Sequence, residues 1–403
     1  MASSNTFDVV IAGGGPAGTS AAIHLATSGA RVLLIEEKKF PRAKLCGEFI
    51  SPECLNHFKR LGVIDQMISA GGASLSETVF YSRLGHSVAV PSEWFKSGTN
   101  ALGLSRSEMD CKLIERAKEA GVEVLEEAHA CGLIRDGEQV RGIRVKAGDQ
   151  IADYRALVTI DATGRTRALA RQLDREKPGS KIRPRPALVA FKAHLENASV
   201  SPGACEIYFY SGGYGGLSGV EGGLSNLCFI VSAQHVRHYG SDPEIVMREV
   251  VMKNARANYT LARASAHTPW LSVSLEGFGR RTPTPASGLL SIGDAAAFID
   301  PFTGSGMLMA LEGGDVAAAV ISRHLSRLRK SDSFDSLADD YTKEYLERFH
   351  SRLRVSGLLR RAAFVPPLVE MAILLCGTSS HLRRKLARAT RPSVTRKPGA
   401  SIS

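Results

Sequence analysis

The stretch FDVVIAGGGPAG, residues 7–18, decides the fold of this chain. Its first half is apolar and rich in β-branched residues, which is typical of a buried strand, and its second half contains the glycine pattern GxGxxG. A helix pattern follows over residues 16–28, and a second apolar run over residues 31–35 ends in Glu36. A strand, a glycine turn, a helix and a second strand with an acidic tip together predict a dinucleotide-binding β-α-β unit.

The three glycines of this turn have different predicted roles. Gly13 permits the tight turn, Gly15 lets the backbone approach a pyrophosphate, and Gly18 lets the helix pack closely on the strand. The free N–H groups at the start of the helix, at the positive end of its dipole, then face the phosphates. Glu36 is placed to accept hydrogen bonds from an adenosine ribose.

The length and charge of the chain narrow the classes of protein to consider. At 403 residues the chain predicts two joined domains, and its hydrophobic content of 44% is ordinary for a globular protein. The formal net charge is +11, but residues 351–403 carry eleven Lys and Arg side chains against one acid, Glu370. Residues 1–350 are therefore nearly neutral, and no nucleic-acid partner is predicted.

Cysteine usage and the apolar segments predict a cytoplasmic protein. The seven cysteines contain no C-x-x-C pair, which argues against a disulfide scaffold and against a zinc site, so we expect reduced thiols and no metal. The short polar start, MASSNT, is unlike a signal peptide. The longest apolar stretch, residues 362–376, contains two prolines and Glu370 and is too short to span a bilayer.

Changes of periodicity along the chain predict an α/β fold with discontinuous domains. A second β-α-β step covers residues 105–125, whereas residues 187–231 show a β pattern. Charge and proline crowd residues 174–186, and proline and threonine mark residues 282–285, so both segments are predicted domain crossings. The predicted first domain comprises residues 1–75, 101–182 and 283–330. The predicted second domain is a β-sheet domain that comprises residues 76–100 and 183–282. Residues 331–403 are predicted to form a helical region with a basic, disordered end.

Two further motifs extend the predicted phosphate site. Gly293 and Asp294 end a predicted strand, and the glycine-rich loop that follows leads into a helix start, which suits the negative charge of a reduced flavin. Asp161 and Gly164, in the segment DATGR, follow another buried strand, where an acid and a glycine can approach a diphosphate. Arg106, at a helix start, can add positive charge to the same phosphates, and it is equally consistent with a solvated arginine.

In this order, the three motifs resemble those of the para-hydroxybenzoate hydroxylase-like FAD proteins. The segment CGE at residues 46–48, followed by Ser51-Pro52, and the segment DPFTGSG at residues 300–306 are most similar to the geranylgeranyl reductase family. The resemblance covers about residues 7–330. It implies a Rossmann-type FAD-binding domain assembled from three blocks of sequence, an inserted β-sheet substrate domain over the flavin, and C-terminal helices.

The resemblance also implies roles for individual residues. Glu36 would bind the adenosine ribose, Arg106 the FAD diphosphate, and Asp294 the ribityl or diphosphate region, while residues 301–307 would lie beside the flavin ring. The implied FAD-binding set is Gly13, Gly15, Pro16, Ala17, Gly18, Glu36, Glu37, Arg42, Cys46, Arg106, Asp161, Gly164, Gly293, Asp294, Pro301, Gly304, Ser305, Gly306 and Met307. Cys46, on the substrate side of the flavin, and Tyr214 are the candidate catalytic residues. Cys46 is equally well explained as a small buried hydrophobe.

One segment departs from the family pattern. Geranylgeranyl reductases typically show Tyr-x-Trp-x-Phe-Pro in the substrate domain, and here Tyr214 is kept while Gly216, Ser218 and Gly219 replace the other three residues. The loss of two aromatic rings predicts open space near the flavin and a bulkier or differently shaped lipophilic substrate. The signature Trp-x-Trp-x-Ile-Pro of tryptophan-type flavin halogenases is absent, which disfavours halogenation.

Three functions remain open on the sequence alone. The first hypothesis is a geranylgeranyl-reductase-like enzyme that transfers hydride between FAD and a lipophilic isoprenoid or polyketide-like substrate. The alternative is an FAD monooxygenase that hydroxylates an aromatic or polyketide ring through a C4a-hydroperoxyflavin, and the third is a flavin-containing binding protein. The glycines of residues 212–223 are predicted turns between strands, not a second dinucleotide unit. NAD(P)H as a transient reductant or an electron-donor protein would therefore supply the electrons.

The basic C-terminal region has two interpretations. Apolar residues 358–376 with flanking arginines could lie on an anionic membrane surface, so that a cytoplasmic protein would also be membrane-associated. Alternatively, a pair of helices packs on the FAD-binding domain and leaves a solvated basic end.

Overall fold

A computed structural model describes residues 5–95, 98–176, 187–276, 278–299, 304–330 and 333–389. Its strands are β1 (Thr6–Ala12), β2 (Val32–Ile35), β3 (Phe49–Ile50), β4 (Ala73–Leu75), β5 (Glu77–Tyr81), β6 (Ser87–Pro91), β7 (Ala101–Gly103), β8 (Glu123–Leu125), β9 (Ala128–Asp136), β10 (Gln139–Ala147), β11 (Gln150–Asp161), β12 (Leu188–Glu196), β13 (Ala204–Tyr210), β14 (Gly213–Gly219), β15 (Ser225–Ser232), β16 (Ser265–Ala266), β17 (Leu271–Leu275), β18 (Gly279–Arg280), β19 (Leu289–Ser291) and β20 (Ala297–Phe298). Its helices are α1 (Pro16–Thr27), α2 (Pro52–Leu61), α3 (Ile64–Ser69), α4 (Arg106–Glu119), α5 (Ala170–Glu176), α6 (Ala233–Tyr239), α7 (Pro243–Glu249), α8 (Ala255–Leu261), α9 (Gly306–Leu328), α10 (Asp335–Ala363), α11 (Pro366–Thr378) and α12 (Ser380–Ala389).

The first sheet contains the predicted dinucleotide-binding unit. Its strand order is β8-β2-β1-β11-β10-β9, and β19 also pairs with β11. Strands β8, β2, β1, β11 and β19 are parallel, with Val10 of β1 between Leu33 of β2 and Thr159 of β11. Strands β9, β10 and β11 form an antiparallel meander. The α/β fold with a Rossmann-type β-α-β unit is thereby confirmed.

Alternate residues of β1 belong to two different cores. Val9 and Ile11 are fully buried in the core shared with α1, α4 and α9, whereas Val10 and Ala12 lie in the core under the meander. Successive side chains of a strand point to opposite faces, so an uninterrupted apolar run gives a strand covered on both sides. Each fully buried aliphatic side chain contributes about 1.5–3 kcal/mol. The carboxyl end of β1 is therefore held firmly where the glycine turn begins.

Helix α9 approaches α1 closely because glycine stands at the contact. A Cβ atom on Gly314 would lie 2.5 Å from the carbonyl oxygen of Ala17 and 2.7 Å from the backbone nitrogen of Ala21. A Cβ atom on Gly293 would lie 2.8 Å from the Cβ atom of Ala17. These contacts place the turn at Gly293 beside the N-terminal end of α1, so the first and the last blocks of the predicted FAD-binding domain meet there.

The second sheet has the order β16-β12-β15-β14-β13-β5-β6, and β17 also pairs with β12. Its pairs are antiparallel except for β13 with β5. Its strands come from residues 77–91 and 188–275, inside the two segments that the sequence assigns to a separate domain. Helices α7 and α8 cover one face, where Tyr208 and Phe229 are fully buried. The glycines of residues 212–223 were predicted to be turns between strands, but Gly213, Gly215, Gly216 and Gly219 lie within strand β14, and only Gly212, Gly222 and Gly223 lie outside it.

The C-terminal helices pack on both domains. Helix α10 lies on the first domain, where Tyr341 is fully buried and donates a hydrogen bond of 2.8 Å to the carbonyl oxygen of Ser291. In contrast, α11 contributes Val369 and Ile373 to a core on the free face of the second sheet. One of the two interpretations of the C-terminal region predicted that its helices pack on the first domain. That prediction is correct for α10 and wrong for α11, which packs on the second sheet. The basic end, residues 390–403, lies outside the described residues, and none of the described helices is long and apolar enough to cross a membrane.

Candidate active site

A single cavity of about 590 Å³ connects the glycine turn of the first domain with the free face of the second sheet. Its wall brings together most of the residues predicted to bind the cofactor, namely Gly13, Gly15, Pro16, Ala17, Glu36, Glu37, Arg42, Cys46, Arg106, Gly164, Gly293, Asp294, Gly304, Gly306 and Met307. Pro301 lies outside the described residues. The three blocks of sequence therefore meet around one space.

The glycine turn has the geometry that its sequence predicts. Gly13 has φ +110°, and a Cβ atom there would lie 2.3 Å from the carbonyl oxygen of Ala162. A Cβ atom on Gly18 would lie 1.9 Å from the carbonyl oxygen of Gly13, so close packing excludes any side chain. At Gly15, in contrast, the nearest atoms to a Cβ position are guanidinium nitrogens at 3.8 and 3.9 Å. Gly15 therefore leaves its backbone open to the cavity, as an approaching phosphate requires.

Basic side chains surround this open turn. Arg106 forms two hydrogen bonds to Asp110, of 2.8 and 2.7 Å, and Arg42 lies 3.0 Å from the same carboxylate and 3.3 Å from Glu36. The Nε atom of Arg42 is buried without a hydrogen-bond partner in the described part of the chain. Lys44 faces the cavity, and the surrounding protein together with the charges of Arg42 and Arg106 lowers its pKa. Such converging cations favour an anionic ligand.

Glu36 combines a structural role with its place in the cavity wall. Its Oε2 atom accepts a hydrogen bond of 2.8 Å from the backbone N–H of Gly14, and its Oε1 atom accepts one of 3.1 Å from the N–H of Lys38. The acid at the tip of β2 thus fixes the glycine turn. Glu37, the next residue, also lines the cavity and is largely exposed.

The second glycine-rich motif begins beside the first, at the N-terminal end of α1. Gly293 and Gly304 have φ of +57°, the left-handed region that favours glycine. Asp294 lies at the cavity wall, where burial raises the pKa of its carboxyl to about 6 against the lowering effect of Arg165. No residue of the described chain donates a hydrogen bond to this carboxylate. Asp294 is therefore available to accept one from a ligand hydroxyl.

Three predicted cofactor residues lie outside the cavity lining. The carboxylate of Asp161 is fully buried and already used, because it accepts hydrogen bonds of 3.1 Å from the N–H of Thr163 and 2.9 Å from that of Ala170. Asp161 thus shapes its own loop, and Thr163 and Gly164 face the cavity instead. Gly18 is a packing glycine, and Ser305 is the buried residue at the N-cap of α9.

The far part of the cavity is an apolar chamber. Its wall is the face of the second sheet that carries Phe80, Ile207, Phe209, Ile230 and Leu275, and it continues onto α10, α11 and α12. Of the three departures from the family pattern, Gly216 opens onto this chamber, whereas Ser218 and Gly219 do not line it. Tyr214 lines it as well and packs edge-on against Phe364, at 6.1 Å between ring centroids. Of the three departures, only Gly216 therefore lines the chamber, and a Cβ atom there would lie 3.2 Å from the Cδ1 atom of Ile207.

Cys46 lies between the cofactor residues and the apolar chamber. It faces the cavity, and burial raises the pKa of its thiol, an effect that nearby Arg106 opposes. The backbone N–H of Glu48 approaches its Sγ atom at 3.4 Å, and its carbonyl oxygen accepts a hydrogen bond of 3.1 Å from Asn226 in the second sheet. Cys46 is therefore a protonated thiol at neutral pH and not a thiolate nucleophile.

Glu48 was not predicted to be a site residue, yet it is the centre of the contact between the domains. Its Oε1 atom accepts hydrogen bonds of 2.9 Å from Lys192 Nζ and from the backbone N–H of Arg106, and its Oε2 atom lies 2.6 Å from His194 Nε2. Glu48 and Lys192 are buried. Burial would raise the pKa of Glu48, but His194 and Lys192 outweigh it and lower that pKa. We name Glu48, Lys192 and His194 the interdomain cluster.

The residues around the cavity fit FAD. The open backbone at Gly15, the unpartnered Nε of Arg42 and the cation of Lys44 suit a diphosphate, and Glu36 and Asp294 offer acceptors for sugar hydroxyls. The apolar chamber beyond Cys46 leaves room for a second, lipophilic molecule. Within the described ranges, no group of three or more His, Cys, Asp or Glu side chains could hold a metal ion.

Comparison with known proteins agrees with this fit. A family model described as an FAD binding domain matches residues 6–352. The chain is 27% identical over 362 residues to digeranylgeranylglycerophospholipid reductase 2 of Methanopyrus kandleri, covering 87% of this chain and 86% of that protein. It is also 27% identical over 363 residues to a digeranylgeranylglycerophospholipid reductase of Thermoplasma acidophilum, covering 86% of each.

Solved structures share the whole fold. A geranylgeranyl bacteriochlorophyll reductase-like protein from Thermoplasma acidophilum matches with a TM-score of 0.79 and 22% identity, covering 95% of this chain and 96% of that one. The flavin-dependent brominase Bmp2 matches with a TM-score of 0.77 and 21% identity, covering 96% and 93%. The predicted resemblance to the geranylgeranyl reductase family is confirmed by the curated relatives. Because the family model spans most of the chain, this protein belongs to the FAD binding domain family and is an FAD-dependent oxidoreductase.

Proposed function

We propose that the protein is a geranylgeranyl-reductase-like enzyme that saturates a carbon–carbon double bond of a lipophilic, isoprenoid-type substrate. One observation carries this proposal: a single cavity has the FAD-binding residues on one wall and an apolar chamber on the other, with Cys46 between them. The relatives named as digeranylgeranylglycerophospholipid reductases support the choice of substrate class. Gly216 lines the chamber without a side chain, which favours a chain or ring system bulkier than the family pattern would admit.

Saturation of a double bond requires a hydride and a proton. When bound in its reduced form, FAD supplies the hydride. Cys46 holds the proton, because burial raises the pKa of its thiol and keeps it protonated at neutral pH. The thiol donates this proton to the carbon that did not receive the hydride, and it regains a proton from water before the next turnover.

Glu48 is a positioning residue in this scheme. Its two carboxylate oxygens join the segment that carries Cys46 to strand β12 of the second domain through Lys192 and His194. The interdomain cluster thereby keeps the thiol at the junction of the two walls. The apolar chamber excludes water from the reacting carbons, which favours proton delivery from the thiol of Cys46.

The proposal also includes a source of electrons for the flavin and a cytoplasmic location. The glycines of β14 lie in a sheet and not between a parallel strand and a helix, so they do not form a second dinucleotide site. NAD(P)H would therefore act as a transient reductant, or an electron-donor protein would reduce the flavin. All seven cysteines are free, in keeping with a cytoplasmic location.

Product analysis under anaerobic conditions tests the proposal. The FAD-loaded protein is reduced with dithionite and mixed with a digeranylgeranylglycerophospholipid or with geranylgeraniol, and the products are identified by mass spectrometry. We expect products that have gained two hydrogen atoms for each saturated bond. The variant Cys46→Ser should lose most of this activity, whereas Cys111→Ser, at a partly buried position of α4 outside the cavity lining, should not.

The alternative function predicts a different product. If the protein is a monooxygenase, no product forms without oxygen, and under ¹⁸O₂ the substrate gains a labelled oxygen atom. That result would reject the reductase proposal.

A further inference from the structure

The C-terminal helices carry an apolar surface that the rest of the described chain leaves uncovered. Val365, at the N-cap of α11, and Leu368, Met371, Leu374 and Leu375 are between 40 and 53% exposed. Leu382 and Leu386 of α12 continue the surface, at 37 and 43%. We name these seven side chains the docking face. Large apolar side chains concentrated on one helical surface mark an interaction site.

The opposite side of α11 is the outer wall of the apolar chamber. Val369 and Ile373 are less than a tenth exposed, and together with Ala372 and Cys376 they line the cavity. Leu368 and Leu386 belong to both surfaces, since they line the cavity and are 44 and 43% exposed. Helices α11 and α12 therefore separate the chamber from whatever covers the docking face.

The segment that carries the docking face is strongly basic. Residues 358–389 contain Arg360, Arg361, Arg383, Arg384, Lys385 and Arg388, and a single acid, Glu370. That acid turns inward, where it pairs with His86 and accepts a hydrogen bond of 3.1 Å from the hydroxyl of Ser82. Arg383 and Arg384 lie over the ring of Trp94, which anchors α12 on the second domain. The docking face is thus apolar, basic at its edge and fixed to the protein.

We propose that the docking face binds the surface of an anionic phospholipid bilayer. An apolar helical face enters the boundary between headgroups and acyl chains, and flanking basic side chains attract anionic headgroups. Helix α11 has 13 residues, which suits a helix lying in the interface and not one crossing the bilayer. A protein partner for such a face would pair acidic side chains with the arginines, and a second copy of this chain would bring its own basic edge against them.

This docking extends the proposed function without depending on its chemistry. A bilayer beneath α11 would place membrane lipids against the outer wall of the chamber, so an isoprenoid lipid could enter from the membrane without crossing water. The docking face itself contains no residue that we assign to FAD binding or to proton transfer.

Vesicle co-sedimentation of the FAD-loaded, full-length protein tests the proposal. The probes are vesicles of phosphatidylcholine alone and of phosphatidylcholine with phosphatidylglycerol. We expect binding to the anionic vesicles that weakens as salt rises, because exposed charges are screened. The double variant Met371→Asp/Leu375→Asp and the double variant Lys385→Glu/Arg388→Glu should each weaken binding by on the order of tenfold or more. The matched controls Leu84→Asp and Lys59→Glu, exposed positions outside the docking face, should bind as the parent does.

Two outcomes would overturn the proposal. The first is a parent protein that does not bind anionic vesicles, or that binds neutral ones equally well. The second is a parent that forms a dimer in light scattering and becomes a monomer on Met371→Asp, since a second copy would then cover the face. Turnover of detergent-dispersed geranylgeraniol separates this question from the proposed function. The docking variants should keep that turnover. If the parent protein lacks the turnover but still binds anionic vesicles, the proposed function is rejected and the docking proposal stands.

Discussion

Replacing Glu48 by glutamine should destabilise the protein strongly, because Glu48 is the counter-charge of a buried lysine. The carboxylate is fully buried, Lys192 is 3% exposed, and the two groups are joined by a contact of 2.9 Å. Glutamine keeps the shape of the side chain but removes the charge, so the Lys192 ammonium stays buried without compensation. Breaking a buried ion pair in this way costs about 3–5 kcal/mol. At an unfolding entropy of about 2.1 cal/mol/K per residue, 1 kcal/mol moves the melting temperature of a 403-residue chain by about 1.2 °C, so the apparent melting temperature should fall by roughly 4–6 °C.

Thermal unfolding monitored by circular dichroism and by flavin fluorescence measures this effect. Because bound FAD shifts the apparent melting temperature, all variants are compared at one FAD concentration and one scan rate. Adding Lys192→Met to Glu48→Gln removes the uncompensated charge, so the double variant should recover most of the loss. Asp153→Asn, which breaks a largely exposed pair with Arg144, should leave the melting temperature unchanged.

A Glu48→Gln protein that melts with the parent would refute this reasoning. So would a double variant in which Lys192→Met failed to restore stability, since the loss would then not arise from the buried lysine. The pH dependence gives a further check. Hydrogen bonds to the ionised form lower the folded-state pKa of Glu48, so its contribution is present above the pKa of the unfolded chain and is lost as pH falls through the folded value.

Three other predictions concern the cofactor and the chamber. Burial raises the pKa of the Asp294 carboxyl from 3.8 to about 6, so the folded chain binds this proton more tightly than the unfolded chain. The FAD-free protein should therefore lose stability as pH rises from about 4 to about 6. Asp294→Asn should abolish this loss in pH-dependent melting, and it should also reduce the amount of FAD retained on gel filtration. Gly18→Ala places a Cβ atom 1.9 Å from a backbone oxygen and should give protein without bound flavin by absorbance, whereas Gly357→Ala, with open space around it, should keep its flavin. Gly216→Trp should leave the FAD content unchanged. It should reduce turnover of a branched isoprenoid phospholipid, and this reduction should be roughly tenfold larger than the reduction for geranylgeraniol. Equal losses for both substrates would contradict the assignment of Gly216 to the chamber.

Local features of the chain were predictable because neighbouring residues decide them. The apolar run of β1, the glycine turn and the helix after it depend on periodicity and on backbone conformations that glycine permits. The open backbone at Gly15 follows from the same turn. Glu36, at the tip of β2, reaches the turn because the two strands are parallel neighbours. Local pattern and strand order are therefore enough to derive this part of the site.

Contacts between distant segments could not be predicted in this way. Glu48 and Lys192 are 144 residues apart in sequence, and no spacing pattern connects a glutamate after a cysteine with a lysine inside a later strand. The sequence DATGR placed Asp161 correctly at a strand end, but only the structure shows that the turn after it uses both carboxylate oxygens. Likewise, the sequence of the apolar C-terminal helices does not indicate which of the two domains each helix packs against.

Flavin reoxidation under anaerobic conditions tests the central claim most directly, because it requires FAD and the lipophilic substrate to meet in one cavity. The FAD-loaded protein is reduced, freed of excess reductant and mixed in a stopped-flow instrument with a digeranylgeranylglycerophospholipid in detergent. We expect the oxidised flavin spectrum to return without oxygen and one double bond to be saturated for each flavin reoxidised. A flavin that stays reduced until oxygen is admitted, with the lipid unchanged, would contradict this claim.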